Sequence, residues 1–468
     1  MNSVQPPVLV AMPAKRRLFV FLKLASICVL IALLHVPLLL TKGVLEERQS
    51  YQAQATEEIA RTWGRQQLVT GPVLAVPYGY QTNVIRSKVV NGKAVQVEET
   101  ELATATAYFL PEDYTVEGAV DPEVRRRGIY ETVVYSTRLA LAGHFRPDLA
   151  AAGIEADRVD WERARVYVGL CDLGGLRSVS ALDVNDPNAA VFESAEGGPD
   201  PLLPLSAKVA GAAAGGRIAF AMTLGVQGSE YLQVAPVGRT TTIRLSSSWS
   251  DPSFVGASLP ATRSVTAEGF RAEWQSSHFS RGFPQAWTSR NLPNEEISAN
   301  LAAAGVGVRF AQGIDGYSLT ERAQKYGLLF FVLTFTVFFL FEVTAGLKIH
   351  PLQYALVGVA LCLFFLGFLA LSEFWSTTAA YAAAAGLCTA MVSLYAHTFL
   401  RTGRRTLVIA GGLGATYGYL YFVLKSQDYA LLAGTAALFG ALALVMFCTR
   451  RINWYALEVG EAERAPAK

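Results

Sequence analysis

Apolar residues are concentrated in two separate parts of the chain, and this distribution limits the possible folds more than any other feature of the sequence. Residues 18–40 and 326–448 are strongly apolar, whereas residues 43–325 have the composition of a soluble protein. Charged residues make up only 17% of the chain, compared with about 25% in a typical soluble domain. The sequence therefore predicts a membrane part that is interrupted by a large water-exposed domain.

The first apolar stretch follows three basic residues at positions 15–17 and is long enough to cross a hydrocarbon core of about 30 Å. It is too long for the apolar region of a signal peptide, and no small-residue cleavage pattern follows it. We therefore interpret residues 18–42 as a retained first transmembrane helix. Lys23 is expected to extend its ammonium group back to the lipid headgroups. Apolar residues at helical spacing in residues 44–63 predict that the helix continues out of the membrane.

Five further apolar segments of about 20 residues form a predicted five-helix bundle over residues 326–448. We predict transmembrane helices two to six at residues 326–345, 352–372, 375–400, 406–424 and 429–448. Lysine and arginine dominate the connections on one side, which include the two tails, residues 1–17 and 449–468. The positive-inside rule then predicts that both tails are cytoplasmic and that residues 43–325 lie outside the cytoplasm.

Small residues recur at four-residue spacing in the last three predicted helices. The stripes are Ala382, Gly386 and Ala390, then Ala410, Gly414 and Gly418, then Ala433, Ala437 and Ala441. Because such stripes let helix backbones approach closely, we expect these three helices to form a tight group. The second helix is rich in phenylalanine, and it and the third are expected to be more exposed to lipid. The alternative is that alanine and glycine are simply common in membrane helices.

Strand patterns dominate the water-exposed part. Runs rich in β-branched and aromatic residues show partial alternation of apolar and polar positions, and glycine, proline or asparagine separates the runs. They cover residues 73–78, 104–110, 131–145, 164–170, 217–226 and 240–246, and helical patterning is sparse until residues 295–304. The predicted fold class is an α-helical membrane protein with six transmembrane helices and a large, mainly antiparallel β domain inserted between helices one and two. This domain is expected to be a β-sandwich or a pair of sheets.

The exit from the β domain carries a helix-start signal. Ser318 and Glu321 have the spacing of a capping box, in which the two side chains satisfy free amides at a helix N-terminus. This spacing predicts that the second membrane helix begins outside the membrane and runs into it without interruption.

Sequence motifs for catalysis or nucleotide binding are not recognisable. A net charge of +2 does not favour nucleic-acid binding, and the five cysteines form no CxxC or Cys/His cluster typical of a zinc site. We therefore expect neither a cofactor nor a metal. A hydrolase that uses His144, His278 and Asp172 stays open as an alternative. A strand-end position for His144 and a turn position for Asp172 are favoured over catalytic roles.

Residues 249–274 are the densest aromatic segment of the β domain. Its candidate surface residues are Trp249, Phe254, Arg263, Phe270 and Trp274. One interpretation is a surface that binds a ligand or a partner protein. The favoured interpretation is a turn and two strands whose aromatic side chains fill a core.

Ionisable residues of the membrane part fall into two layers at opposite ends of the predicted helices. The candidate residues are Glu342, Lys348 and Arg401 at the cytoplasmic end, and Glu373, Lys425 and Asp428 at the external end. Proton-coupled transporters usually carry such groups deep in the bundle. We interpret Glu342 as an inner-edge residue that pairs with Lys348 or the connection at Arg401 and so fixes the depth of its helix. A functional proton relay is the alternative.

Several long segments of the sequence closely resemble the CreD family of bacterial inner-membrane proteins, often called cell envelope integrity proteins. The segments include SFVGASLPATRSVTAEGFRAEW (253–274), ERAQKYGLLFFVLTFTVFFLFEV (321–343) and WGRQQLVTGPVLAVPY (63–78). The resemblance extends over residues 18–455. The sequence departs from the family pattern at Phe374, where a histidine is common, and at Ser258, where a phenylalanine is usual. The first departure weakens any proposal of a Glu–His pair at Glu373.

The resemblance implies a bacterial inner-membrane protein under two-component control, linked to envelope integrity and the stress response, without an established enzymatic activity. On this basis we expect a non-enzymatic protein whose external domain contacts an envelope protein, lipid or glycan, and whose helices contact membrane lipid. The main alternative is a transporter or lipid-handling protein, which predicts a polar cavity between helices four to six. A hydrolase outside the cytoplasm is the third possibility. The oligomeric state is left open.

Overall fold

A computed structural model describes residues 14–90, 93–155, 158–184, 190–195, 203–209, 216–310, 316–345, 349–400, 402–426 and 429–450. The chain divides into two compact units, which we call the membrane unit (Met1–Tyr51 and Ile314–Lys468) and the β unit (Gln52–Gly313). Helix α1 (Ala14–Trp63) begins in the first and ends in the second. The expected continuation of the first membrane helix through residues 44–63 is thus confirmed.

Helix α1 passes through Pro37 without ending there. A proline has no backbone N–H and therefore frees a carbonyl on the preceding turn. The carbonyl of Pro37 itself accepts a hydrogen bond from the Thr41 hydroxyl at 3.0 Å. A bond of this kind, from a threonine hydroxyl to the carbonyl four residues earlier, often bends a helix.

The other helices of the membrane unit are α3 (Gly316–Lys325), α4 (Gly327–Ala345), α5 (Pro351–Ser372), α6 (Thr377–Leu400), α7 (Gly403–Lys425) and α8 (Ala430–Thr449), whereas α2 (Asn294–Ala303) belongs to the β unit. Helices α4 to α8 coincide with predicted membrane helices two to six to within three residues at each end. In the described part of the chain, α1, α5, α6 and α7 are long and apolar enough to cross a membrane, and α4 contains a shorter apolar helix. A total of six crossings stays a prediction.

The expected start of the second membrane helix is wrong in two respects. Ser318 lies inside α3, which already includes Gly316, so its hydroxyl does not cap the N-terminus of a helix that begins at residue 318. The helix is also interrupted, because a turn at Tyr326 separates α3 from α4. Gly327 lies at this break, and glycine favours helix less than any residue except proline.

Aromatic side chains of α4 and α5 form the centre of the membrane unit, contrary to the expectation that these two helices would be the more exposed. Phe331 and Phe335 of α4, and Phe364, Phe365 and Phe368 of α5, are at most 1% exposed. Half of the apolar window of α5 is buried, compared with 33% of that of α7. Large rings bury more apolar surface per residue than alanine or glycine and therefore occupy the core.

Two sheets build the β unit. The nine-stranded sheet contains β1 (Gln67–Val90), β2 (Lys93–Phe109), β5 (Arg165–Leu170), β7 (Phe192–Ser194), β8 (Leu205–Lys208), β10 (Tyr231–Val234), β12 (Pro252–Gly256), β15 (Ala286–Thr288) and β16 (Val306–Phe310). The seven-stranded sheet has the order β13 (Thr262–Thr266), β14 (Gly269–Ser277), β11 (Thr240–Ser247), β3 (Asp113–Arg127), β4 (Tyr130–Phe145), β9 (Ile218–Ser229) and β6 (Leu176–Val179).

Both sheets contribute side chains to one hydrophobic core, which includes Val69 and Val166 from the first sheet and Val116, Leu139 and Leu224 from the second. The predicted pair of sheets is therefore present. The strand pairing is mainly antiparallel, as expected, but β1 pairs with β10 and β11 pairs with β3 in parallel. Each segment predicted as a strand lies largely within a strand, and α2 covers all but the last residue of the predicted helix at residues 295–304.

Candidate functional sites

Glu342, near the end of α4, is buried between α1 and α5. The ammonium group of Lys23 donates to its Oε1, and only 9% of either side chain is exposed. The Tyr354 hydroxyl donates to Oε2 at 3.1 Å, and the Ile349 N–H donates to Oε1 at 3.4 Å. Lys23 donates a second hydrogen bond to the Ile349 carbonyl at 2.6 Å. Both charges are thus hydrogen-bonded, as buried charges must be.

This arrangement corrects the expected position of Lys23, whose ammonium group is buried in the membrane unit and does not extend to the surface. A carboxylate and a carbonyl at bonding distance satisfy the ammonium group within the protein, so it need not reach the headgroups. In the described residues the basic partner of Glu342 is Lys23. The partners considered from the sequence, Lys348 and Arg401, lie outside the described residues.

Glu373, directly after α5, is a second buried carboxylate that contacts α1. Its side chain is 9% exposed and lies 3.6 Å from Nε of Arg48. The hydroxyl of Tyr317 in α3 donates to the same carboxylate oxygen at 3.2 Å. Glu373 therefore links α1 and α3 to the end of α5, in the same way that Glu342 links α1 and α4 to its beginning.

The two acidic clusters hold α1 at two separate levels. Lys23 and Arg48 are 25 residues apart on this helix, which corresponds to roughly 37 Å at about 1.5 Å per residue. That distance is longer than the roughly 30 Å hydrocarbon core of a membrane. It therefore allows Glu342 and Glu373 to lie near opposite edges of the bilayer. Lys425 has its ammonium group 5.2 Å from the centre of the Tyr421 ring, and Asp428 lies outside the described residues.

The small-residue stripes of α6 and α7 line a groove and do not form the expected tight contact. The groove has a volume of about 560 Å³ and is lined by Ala382, Gly386 and Ala390 of α6 and by Ala410, Gly414 and Gly418 of α7. A Cβ atom added at Gly386, Gly414 or Gly418 would meet nothing within 4 Å. The hydroxyl of Ser393, which also lines the groove, is buried without a hydrogen-bond partner in the described structure.

The aromatic segment at residues 249–274 contributes mainly to the core of the β unit. Trp274 and Phe270 are 1% and 3% exposed, and Phe254 packs edge-on against both rings at 5.8 and 5.7 Å. Trp249 is half-buried against the same core. Only Arg263 of the five candidates is exposed, with its guanidinium 5.9 Å from the Phe254 ring. The core interpretation thus describes the four aromatic residues, and Arg263 is a surface residue.

Arg263 lies at a groove of about 660 Å³ on the seven-stranded sheet, which we call the arginine groove. Four arginines (Arg138, Arg244, Arg263 and Arg271) and two glutamates (Glu117 and Glu273) line it. Along one row of the sheet Arg138 pairs with Ala119, Ala119 with Ser246, and Ser246 with Arg271. Arg138 and Arg271 are thus three strand spacings apart, roughly 14 Å at about 4.8 Å each.

The adjacent row of the arginine groove is a closed ionic network. Arg244 donates to Glu117 at 2.9 Å and to Glu273 at 3.1 Å. The hydrogen bonds that Arg244 donates to Glu273 and Glu117 raise its pKa. The pKa of Glu273 is lowered, first by a hydrogen bond from Gln275 and then by Arg244. Arg244 engages the two glutamates, and the guanidinium of Arg263 lies 5.9 Å from the Phe254 ring. Arg138 and Arg271 are the remaining arginines of the groove, and neither bonds another side chain in the described residues.

The three residues of the alternative hydrolase do not assemble into a catalytic group in the described structure. Asp172 caps a short helix, where its carboxylate accepts the backbone N–H groups of Gly174 and Arg65 at 2.9 and 2.8 Å. His144 is in contact with the Asp113 carboxylate at the end of β4. The ring of His278 lies 3.9 Å from that of the neighbouring Phe279, centre to centre. Among the described residues no cluster of three or more potential metal ligands occurs.

Two features of these sites escaped the sequence interpretation. The Lys23–Glu342 pair joins residues 319 positions apart, and the row that contains Arg138 and Arg271 depends on the register of four strands. The only available signals were the unusual position of Lys23 inside an apolar stretch and the outward alternation of Arg138 with Leu139. Neither signal identifies a partner.

The apolar helices, the buried charge clusters at the two levels of α1 and the inserted two-sheet unit define an integral membrane protein that carries a large β domain. The family model of the inner membrane protein CreD matches residues 19–455. The chain is 32% identical over 445 residues to the inner membrane protein CreD of Escherichia coli (strain K12), an alignment that covers 94% of each chain. The chain therefore belongs to the CreD family, and it is an inner-membrane protein.

Proposed function

We propose that this protein is a non-enzymatic component of the bacterial inner membrane that supports envelope integrity and the stress response. Its β unit contacts another component of the envelope outside the cytoplasm, and its helices anchor that unit. The lysine and arginine bias of the short connections supports six crossings with both termini in the cytoplasm.

The way in which the chain holds the β unit carries this proposal. The β unit is one continuous insertion, and the membrane unit supplies chain on both sides of it. Within the membrane unit α1 is bound through Lys23 and Arg48. Within the β unit the same helix ends at Trp63, whose indole N–H donates to the Tyr135 carbonyl at 3.2 Å. Contacts that hold α1 within each of the two units suit a scaffolding protein better than a loosely tethered receptor domain.

Deletion of the gene from its host tests this proposal. We expect the deletion strain, challenged with a β-lactam, to take up more of a membrane-impermeant dye than the parent strain, and the full-length gene to restore the parental level. Crosslinking in living cells, followed by purification of the full chain, should repeatedly recover the same envelope protein, lipid or glycan. Normal dye exclusion in the deletion strain, together with no recurrent crosslinked component, would contradict the proposal.

Lipid handling is a second candidate function, and the groove between α6 and α7 supports it. The groove is more apolar than the cavity that the transporter alternative predicted, because alanine and glycine form much of its wall. An acyl chain of a phospholipid is the ligand that such a wall in a membrane helix pair would accept. The unpartnered Ser393 hydroxyl adds one polar point of contact.

Filling the groove tests lipid handling. Gly386→Leu and Gly414→Leu place a side chain in open space, so the protein should still fold. Phospholipid that copurifies with the chain, counted by mass spectrometry, should fall several-fold in both variants. Gly367→Leu is the matched control, because Gly367 in α5 also faces open space but does not line the groove. Equal lipid content in all four proteins would exclude this function.

A further inference from the structure

We propose that the arginine groove binds a saccharide that carries two anionic groups, such as phosphates. This inference rests on the proposed function, because it names the chemistry of the envelope component that the β unit contacts. Its basis is the row of the sheet that has Arg138 at one end and Arg271 at the other, with Ala119 and Ser246 between them.

The free charges of the groove determine the charge of the ligand. Arg244 donates to Glu117 and Glu273, and this network of one guanidinium and two carboxylates has a net charge of −1, so it does not attract an anion. Arg138 and Arg271 are exposed and bond no other side chain in the described part of the chain. A guanidinium group presents a planar pair of donors that fits phosphate or carboxylate oxygens. The two arginines together therefore favour a ligand with two anionic groups.

The space between the arginines determines the rest of the ligand. Their strands are roughly 14 Å apart, which is too far for both side chains to bind one small anion without stretching toward it. Between them the small side chains of Ala119 and Ser246 leave the groove open. The hydroxyl groups of Ser246, Thr262 and Ser264 line the same groove and can exchange hydrogen bonds with sugar hydroxyls. A sugar ring that separates two anionic groups matches this layout.

Titration calorimetry of the full chain in detergent tests the proposal with four probes: glucose 1,6-bisphosphate, glucose 1-phosphate, inorganic phosphate and glucose. We expect the bisphosphate to bind at least about tenfold more tightly than either monophosphate, since each charge-assisted contact contributes on the order of a factor of ten. Glucose should show no binding. Absence of bisphosphate binding to the wild-type chain, or equal affinity for bisphosphate and inorganic phosphate, would overturn the proposal.

Variants identify the groove as the binding site. Arg138→Gln and Arg271→Gln should each weaken bisphosphate binding about tenfold, and the double variant should weaken it further. Arg163→Gln is the matched control, because it removes the same charge from an exposed residue of the β unit outside the groove. These are surface substitutions, and circular dichroism verifies that each variant is folded. Unchanged affinity in the double variant would overturn the proposal, as would tighter binding of a tetra-aspartate peptide than of the bisphosphate.

The outcomes separate this inference from the proposed function. If the deletion strain leaks dye but the purified chain binds no bisphosphate, the envelope function stands and the saccharide proposal fails. If the chain binds the bisphosphate through Arg138 and Arg271 but the deletion strain has an intact envelope, the binding site stands and the proposed function fails.

Discussion

Glu342 shows how the low polarity of the membrane unit decides the role of a single residue. An ionised carboxylate placed alone among apolar helices is costly. Three donors from separate parts of the chain, Lys23, Tyr354 and the Ile349 N–H, surround this one. The same bonds fix the positions of α1, α4 and α5 at one level. We therefore expect Glu342 to have a structural role in holding these helices together.

Removal of one member of the pair should destabilise the membrane unit strongly. Glu342→Gln leaves the Lys23 ammonium buried without a counter-charge, a change that typically costs about 3–5 kcal/mol. Lys23→Met should have a similar effect, because it leaves the Glu342 carboxylate buried without its cationic partner. Thermal unfolding of the detergent-purified chain measures both, and the double variant should lose less stability than the sum of the single variants. Normal stability of Glu342→Gln, with loss of envelope function, would instead favour a relay.

Arg281 has a comparable role in the β unit, although no pattern in the sequence indicated it. Its guanidinium donates to the carbonyl of Val237 and to Oε1 of Gln285. Gln285 in turn donates to the carbonyls of Leu110 and Pro111 at 2.9 and 2.7 Å. Burial, with a smaller contribution from Arg239, lowers the pKa of Arg281 to about 10. The group therefore stays charged at neutral pH and organises three loop carbonyl groups.

We expect Arg281→Met to destabilise the β unit by about 3 kcal/mol, because hydrogen bonds to a charged group contribute about 1.5–3 kcal/mol each and the freed carbonyls are only partly rehydrated. Loss of the β-sheet circular dichroism signal on heating measures the change. Arg163→Met serves as the control for loss of one exposed arginine. Equal melting temperatures for the two variants would show that the loops do not need the guanidinium.

At the scale of elements, the contact of α1 with α5 depends on a glycine. A Cβ atom at Gly358 would lie 2.1 Å from Cδ1 of Leu34 and 3.0 Å from the ring of Phe335. A hydrogen at this position is what allows α1 to approach α5 closely. The stripes that we expected to pack closely, on α6 and α7, face open space instead. The spacing of small residues in the sequence thus did not predict which of these positions contacts a neighbouring helix.

A pair of substitutions on α5 tests the role of this contact. Gly358→Leu should displace Leu34 and separate α1 from α5, with a loss of at least about 1–3 kcal/mol from overpacking. Gly367→Leu should be neutral or slightly stabilising, since leucine favours helix more than glycine and the position is open. Melting temperatures of both variants in the same detergent provide the comparison. If the Gly358→Leu protein had the same melting temperature as the wild type, the charged contacts of α1 alone would be enough to hold this helix.

At the scale of the whole molecule, sequence patterns predicted local elements well and contacts between distant elements poorly. Apolar length located helices α4 to α8 because a membrane-crossing helix needs about 20 apolar residues wherever it packs. Alternation located the strands for the same local reason. The partners of Glu342, the neighbours of Gly358 and the row from Arg138 to Arg271 depend on which elements meet, and no local pattern encodes that. Exposure of the aromatic α4 was mispredicted for this reason.

The orientation of the chain can be tested through Cys171, which is exposed in the β unit. In a variant with the other four cysteines changed to serine, a membrane-impermeant maleimide should label Cys171 in cells whose outer membrane is permeabilised and whose inner membrane is intact. Partial burial of the sulfur raises the pKa of this thiol, so the thiolate fraction, and with it the labelling rate, should increase as the pH rises above neutral. A cysteine introduced at position 465 should react only after lysis. Labelling of Cys171 only after lysis would reverse the predicted orientation.

Helix α1 also sets an angular relation between its two ends. Lys23 and Trp63 are 40 residues apart on one helix, and at about 3.6 residues per turn this separation corresponds to roughly eleven turns. One residue inserted between Arg48 and Trp63 would turn the indole by about 100° about the helix axis relative to the ammonium group. Seven inserted residues would nearly restore the original phase. Within α1, an insertion of one residue therefore changes the angular position of Trp63 about the helix axis, whereas an insertion of seven residues nearly preserves it.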